Sequence, residues 1–248
     1  MTTQSDWFRE WFGSPYYQIL YQNRDEGEAR AFVARLCTHL HPPPGSRMLD
    51  IACGEGRFAV QLAALGFDVT GIDLSHANIE KAKAQEQERL QFFVHDMRFP
   101  FYINYFDYAF NFFTSFGYFT HDRDHLMAAK SFAAALKKGG TLVIDYLNRE
   151  HALQLMTPEE TVDRGSYHFH ISRRLERNHF IKDIRFTDAD GRERHYTESV
   201  AAFTPADFER IFAAAGLTVT ETFGDYALHA YDPKTSPRLI IILKKAYA

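Results

Sequence analysis

Apolar side chains at Ala29, Phe32, Val33, Leu36, Cys37 and Leu40 recur at the three- and four-residue spacing of one helical stripe, and "PPPG" at 42–45 stops it. That pattern predicts a helix running into a first strand. The short apolar run "RMLDI", a glycine-rich turn and the amphipathic stretch "RFAVQLAAL", ending at Gly66, predict a strand, a tight turn and a helix. The alternation then repeats through strand "FDVTGID", a helix from Ser75 through "ANIEKAKAQEQE", and strands "LQFFVHD" and "FDYAFNFF". Helix "RDHLMAAKSFAAAL", a "KKGG" turn and strand "TLVIDYL" follow. Strands alternating with helices imply a parallel sheet with helices on both faces.

From about residue 160 to 203 the period falls to two. "SYHFHISRRLE", "HFIKDIRFTD" and "ERHYTESVAAF" predict antiparallel strands, the last two joined at "ADGR" by a hairpin turn. The alternating pattern resumes at Thr204, placed to cap a helix with Pro205 in its first turn and Gly216 past its last. Strands "LTVTETF" and "RLIIILKK" close the chain. The expected fold is α/β, a doubly wound, mostly parallel seven-stranded sheet with an inserted antiparallel β lid. The expected organisation is an N-terminal arm over 1–24, a core of 25–159 and 204–248, and a lid of 160–203.

The chain has 248 residues, of which 46% are hydrophobic and 24% charged, which suits one domain with a lid. No apolar run reaches membrane-spanning length, and "MTTQSDWFREWFGSPYY" lacks the basic start and apolar core of a secretion signal. A cytoplasmic location with no membrane partner is expected. Cys37 and Cys53 make no metal-ligand spacing and read as buried thiols. The net charge of −4 gives no pull towards a polyanion, so a small molecule is expected as partner rather than nucleic acid. The oligomeric state is left open. With 23 Phe, 13 Tyr and 12 His, rings are abundant enough for some to line a pocket.

The chemistry concentrates at "MLDIACGEGRFAVQLA". "GEGRFA" fits the G-x-G-x-x-A form of a dinucleotide fingerprint, which a bare strand-to-helix turn also satisfies. Asp50 discriminates, because a carboxylate at that strand end would meet the pyrophosphate of a nicotinamide or flavin cofactor at close range, whereas it would attract an ammonium. "LDIACGEG" resembles the first motif of the class I S-adenosylmethionine-dependent methyltransferases, whose Rossmann-like fold covers nearly the whole chain. The resemblance implies S-adenosyl-L-methionine as cofactor, with Asp50, Ala52, Gly54 and Gly56 along its methionine portion. It implies Asp73, in "GIDLS", across the two ribose hydroxyls, with Leu74 beside it. In "HDMRFP" it implies Asp96 accepting from the adenine amine and Met97 packed on the ring. In "FDYAFNFFTSFGYF" it implies Asn111, Phe112 and Phe113 as walls beneath the methyl donor. Residue by residue, Asp73 also reads as a helix-capping acid and Asp96 as a loop solvator.

Within that superfamily the sequence is most similar to the small-molecule branch of aminosugar and glycine-type N-methyltransferases. That branch has a tyrosine-bearing N-terminal segment, a loop like "FFTSFGYF" and a lid after the fifth strand. The similarity implies methyl transfer to N, or O, of a small acceptor, without a metal. Tyr21 is implied near the transferred methyl, and Tyr118 stands where some aminosugar enzymes carry histidine. Tyr17, Tyr146 and Arg173 are the candidates for acceptor contacts, with Asp145 beside Tyr146 at the end of the fifth strand. Arg24 reads either as a contact for the cofactor carboxylate or as a solvated turn residue. Tyr16, Tyr17 and Tyr21 could equally pack the arm. His168 and His170 lack a third ligand to complete a metal site. An RNA methyltransferase shares the cofactor motifs, but "NFFT" stands where base-amino enzymes carry N-P-P-Y. A non-catalytic S-adenosylmethionine-binding protein would carry the same signature, and only turnover separates it from an enzyme.

Overall fold

From Met48 onward every residue of β1 (Arg47–Ile51) is buried. Such a strand needs cover on both faces. The computed structural model, which describes residues 7–22 and 26–246, places it inside a seven-stranded sheet. Parallel neighbours flank it, β2 (Asp68–Asp73) on one side and β4 (Phe106–Asn111) on the other. The strand β3 (Leu90–Val94) extends the sheet beyond β2, and β5 (Leu136–Leu147) beyond β4, both parallel. The chain's last strand, β11 (Arg238–Lys245), lies antiparallel to β5, and β10 (Leu217–Phe223) closes that edge antiparallel to β11. The order is β10-β11-β5-β4-β1-β2-β3.

Alternation of side chains divides the core between two faces. Met48 and Ile240 point to the face covered by α3 (Glu26–Leu40), α4 (Arg57–Ala64) and α5 (His76–Lys83), where Phe32, Phe58, Leu62 and Ile79 meet them. Leu49, Ile51 and Ile241 point to the opposite face, beneath α6 (Asp122–Ala135) and α8 (Pro205–Ala213), with Phe132, Phe208 and Phe212. At the start of α8, the Thr204 hydroxyl accepts from the Asp207 N–H while Asp207 accepts from the Thr204 N–H. Such a reciprocal cap contributes about 1 kcal/mol.

Three elements depart from the sequence reading. The "KKGG" segment does not turn but belongs to β5, which starts at Leu136 and shifts register against β4 between Phe106 and Tyr108. A side chain at Gly140 would come within 2.9 Å of the Lys137 carbonyl, so glycine absorbs the irregularity. A short helix, α7 (Arg149–Leu155), follows β5. The inserted sheet has four strands rather than three: β6 (Glu159–Arg164), β7 (Tyr167–Glu176), β8 (His179–Thr187) and β9 (Glu193–Ala201), all antiparallel.

The short helices α1 (Trp7–Phe12) and α2 (Pro15–Leu20) dock on the inserted sheet through a third core, in which Trp11 and Leu20 pack with Phe169, Ile171, Ile184 and Phe186. Trp11 is fully buried, and its truncation to alanine would cost roughly 3–5 kcal/mol. Arm and insertion therefore form one apolar unit. Among the described residues, no helix is long and apolar enough to cross a membrane.

Candidate functional site

A cleft of about 470 Å³ opens beyond the carboxyl ends of β1, β2 and β4, the end at which open α/β sheets bind ligands. Asp50, Ala52, Gly54, Asp73, Leu74, Asp96, Met97, Phe112 and Phe113 all line it. Gly54, with φ of +59°, has open space where a side chain would stand, and its N–H donates to Asp73 Oδ2 at 2.9 Å. Asp73 Oδ1 accepts from the Ser75 N–H at 2.8 Å. Burial raises the Asp73 carboxyl above its ordinary value, against these backbone donors and Asn78. Asp50 is 1% exposed, and its Oδ2 has no hydrogen-bond partner among the described residues. Burial lifts its carboxyl to about 8, the Asp73 charge adding to the rise while the Ala59 backbone N–H and Arg57 oppose it.

On the adenine side expected from the sequence, Asp96 is gripped by Arg98, whose Nη2 donates at 2.6 Å and Nε at 3.1 Å, and Arg9 stands 3.5 Å away. Burial alone would raise the Asp96 carboxyl, but Arg98 outweighs it and holds the group below its ordinary value. At the other wall Phe112 is buried, stacked on Phe58 at 4.3 Å. Phe113 and Thr114 take left-handed φ angles of +59° and +61°, conformations that cost energy for residues with side chains. Asp145 holds them: its Oδ2 accepts from the Phe113 N–H at 2.8 Å and its carbonyl from the Thr114 N–H at 2.9 Å. Arg238 in turn donates to Asp145 Oδ1 through Nε at 2.8 Å, and Tyr226 donates its hydroxyl at 2.8 Å.

The arm roofs the cleft. Phe12, Tyr17, Tyr21 and Tyr118 line it, with Phe12 packed on Tyr17 at 4.8 Å and on Tyr118 at 5.1 Å. A polar latch ties α2 to the glycine loop: Gln18 Nε2 donates to Glu55 at 2.8 Å, and Lys81 donates to Glu55 at 3.0 Å and to Gln18. The Tyr21 hydroxyl donates to Glu198 Oε1 at 2.8 Å and accepts from Lys182 Nζ at 2.6 Å. Both of these partners are side chains of the inserted sheet. Burial, then Glu198, raises the Tyr21 phenol well above its ordinary value.

Four expected residues stand elsewhere. Gly56 caps α4 at φ +88°, and a side chain there would strike the Phe92 ring at 2.6 Å, so glycine serves packing rather than ligand approach. Asn111 is fully buried and turns its amide to the Ile51 carbonyl at 2.9 Å, tying β4 to β1. Tyr146 is fully buried in the core under α8 and donates to the Ala201 carbonyl, so it cannot touch an acceptor in the cleft. Arg173 pairs with Glu160 at 2.5 Å across β6 and β7, outside the cleft wall. Asp145 also lies behind the wall, acting on Phe113. Arg24 lies outside the described residues. His168 pairs with Asp163, and His170 meets Thr161. Among the described residues, no group of three or more His, Cys, Asp or Glu is placed to hold a metal. Unforeseen in the sequence are Arg9, Gln18 and Arg57 on the wall and the pair Lys182 and Glu198 behind Tyr21; a lone cation and acid in alternating strands gave no signal until the register of β8 and β9 set them opposite each other.

The sequence matches the family described as a methyltransferase domain over residues 21–222. The YqeM protein of Bacillus subtilis (strain 168) is 36% identical over 109 residues, 42% of this chain and 43% of that protein, so the match spans less than half of that relative. A Geobacillus sp. (strain WCH70) protein is 26% identical over 226 residues, 87% of this chain and 91% of its own. Both are named as methyltransferases by inference only. Among solved structures, an S-adenosylmethionine-dependent methyltransferase from Clostridium acetobutylicum ATCC 824 matches with a TM-score of 0.78 at 18% identity, over 93% of this chain and 96% of that one. CalS10, an amino pentose methyltransferase from Micromonospora echinaspora solved with S-adenosylmethionine bound, matches with a TM-score of 0.70 at 20% identity, over 94% and 98%. At these identities the structures share a fold.

Proposed function

Since the chain belongs to the methyltransferase-domain family, we propose that it moves a methyl group from S-adenosyl-L-methionine to a nitrogen or oxygen of a small-molecule acceptor. The observation that carries this reading is Asp50, a buried carboxylate on the cleft wall whose Oδ2 has no partner among the described residues. A buried carboxylate is costly unless a cation or donor meets it. The ammonium of an amino-acid moiety fits that place, and a pyrophosphate does not. In this assignment Asp73 accepts from the ribose hydroxyls with the lone pairs left beyond the Gly54 and Ser75 N–H groups. Leu74 and Met97 offer apolar contact to the adenine, and Phe112 and Phe113 wall the methyl end.

When bound, the sulfonium supplies a methyl group already activated for transfer. The protein's part is to hold an acceptor lone pair in line and to keep water out. Phe12, Tyr17 and Tyr21 of the arm and Tyr118 beneath it are the residues assigned to that work. The chain's net charge of −4 disfavours a nucleic-acid substrate. A cytoplasmic location is part of the reading, supported by Cys37 and Cys53 both being unpaired.

Calorimetry with S-adenosylmethionine, S-adenosylhomocysteine and NADH tests the cofactor, and tight NADH binding without either sulfur ligand would overturn the assignment. Asp73→Ala is expected to weaken S-adenosylhomocysteine binding by roughly 1.5–3 kcal/mol in a folded protein. Transfer of a labelled methyl is then scanned across small amines, alcohols and an RNA control. Amino sugars head that panel because one structural relative is named for an amino pentose. Labelling of RNA alone would refute the small-molecule acceptor.

A further inference from the structure

The hydrogen-bond polarity behind Tyr21 bears on what is methylated. Four groups meet there from two parts of the chain. Glu198 Oε1 accepts from the Trp11 indole at 2.6 Å and from the Tyr21 hydroxyl at 2.8 Å, and Glu198 Oε2 is 3.0 Å from that hydroxyl. Lys182, opposite Glu198 in the strand register, donates to the Tyr21 oxygen at 2.6 Å, its ammonium 3.9 Å from Glu198 Oε2. An ammonium has no lone pair, so the direction of its bond is fixed. The phenolic proton therefore points at Glu198, and a hydroxyl so held offers oxygen rather than hydrogen to a group in the cleft.

We propose that Tyr21 accepts the proton shed by an acceptor amine on methylation and passes its own to Glu198, with Lys182 and Glu198 as the positioning residues that give this relay its direction. The inference rests on the methyl-transfer reading and narrows the acceptor to a group with a hydrogen on its nucleophilic atom, a primary or secondary amine being the one proposed. In the step, the nitrogen lone pair forms the new N–C bond and the broken S–C pair stays on sulfur. The surplus N–H proton moves to the Tyr21 oxygen as the phenolic proton moves to a Glu198 oxygen. The Glu198 side chain is 14% exposed, so the proton has a way out to solvent. The charged and titratable groups around the relay are Tyr17 and Tyr118 beside Tyr21, and Arg173 and Glu160 beside Lys182. Arg173 and Glu160 are paired with each other and so add little net field.

The test has two parts on the full chain. The first needs no acceptor: protein labelled with 13C at the tyrosine ζ carbon, the Tyr21 signal being identified by its loss in Tyr21→Phe. In the wild type that signal should titrate well above the ordinary tyrosine range, and in Glu198→Gln at least about one pH unit lower, at a proton concentration about tenfold higher. Coincident titration in the two proteins overturns the relay. The second part uses whichever small amine the wild type methylates. Glu198→Gln should lower kcat on the order of a hundredfold, with S-adenosylhomocysteine affinity within about twofold. The deficit should shrink as pH rises from about 7 to about 9.5, where hydroxide takes the proton instead, and Glu198→Asp should restore part of the rate. A deficit that is the same at every pH, or no deficit, overturns the proposal. A wild type that binds S-adenosylhomocysteine but methylates only alcohols refutes the amine assignment, and the titration still decides whether Glu198 governs Tyr21.

Discussion

Asp50 yields a measurement in which the ligand's charge is read through protons. Burial above all, with Asp73 adding and the Ala59 N–H and Arg57 opposing, raises its carboxyl to about 8. At pH 7 such a group is about 90% protonated, so a ligand ammonium that requires the carboxylate must expel about 0.9 proton per molecule bound. Ionising the group at pH 7 costs about 1.4 kcal/mol, and each further pH unit downward costs the same again. Affinity for S-adenosylhomocysteine should therefore fall about tenfold per unit below pH 8, with an optimum near pH 8, above which the ligand's own amino group loses its proton. Titration calorimetry in two buffers of different ionisation heat counts the protons directly. Asp50→Asn should abolish the release and flatten the pH dependence. Binding by the wild type without proton exchange and with equal affinity at about pH 6 and about pH 8 would refute the argument. The sign reverses for stability of the protein alone: the folded state keeps a proton that the unfolded chain has lost, so Asp50 removes stability as pH rises from about 4 to about 8, at up to about 1.4 kcal/mol per unit.

Arg238→Met should destabilise the fold by roughly 3–5 kcal/mol in urea unfolding, because Asp145 would be left buried and unpaired. Pairing it with Asp145→Leu should restore much of that stability but not cofactor affinity, since Phe113 would lose the anchor of its left-handed backbone; full recovery of both would show that the loop needs no anchor. His125 is held neutral: burial pushes its pKa to about 4, His179 adding to the fall while the Gly117 backbone, Asp122 and Asp124 oppose it. Because the unfolded imidazole takes a proton below its ordinary value while the folded one does not, stability should fall by up to roughly 3 kcal/mol between about pH 6.5 and about pH 4. His125→Phe should remove that slope in acid unfolding curves.

The core was legible because each of its strands carries its own boundary signals. In "RLIIILKK" the apolar run is long enough to be buried on both faces, and Thr204 and Pro205 announce the start of α8 before any contact is known. The glycine loop and Asp73 were legible for the same local reason. The strand β6 was not, because every other residue of "EETVDR" is exposed and Val162 is its one apolar side chain, a pattern a loop would match equally well. Tyr146 was misplaced because alternation tells that Asp145 and Tyr146 face opposite sides of β5 but not which side holds the cleft. The Tyr21, Lys182 and Glu198 group is legible only in three dimensions, since its members lie 161 and 177 positions apart along the chain.

The latch of Gln18, Glu55 and Lys81 sets how molecules come and go. It ties α2, which roofs the cleft, to the glycine loop on the cleft wall, so lifting α2 breaks these bonds. Its bonds are exposed to water and to salt, and each contributes only about 0.5–1.5 kcal/mol, whereas the aromatic core that seats the arm on the inserted sheet is dry. The arm is thus hinged on grease and fastened with weak, soluble ties. A bound product whose release requires α2 to lift would therefore leave faster as ionic strength rises.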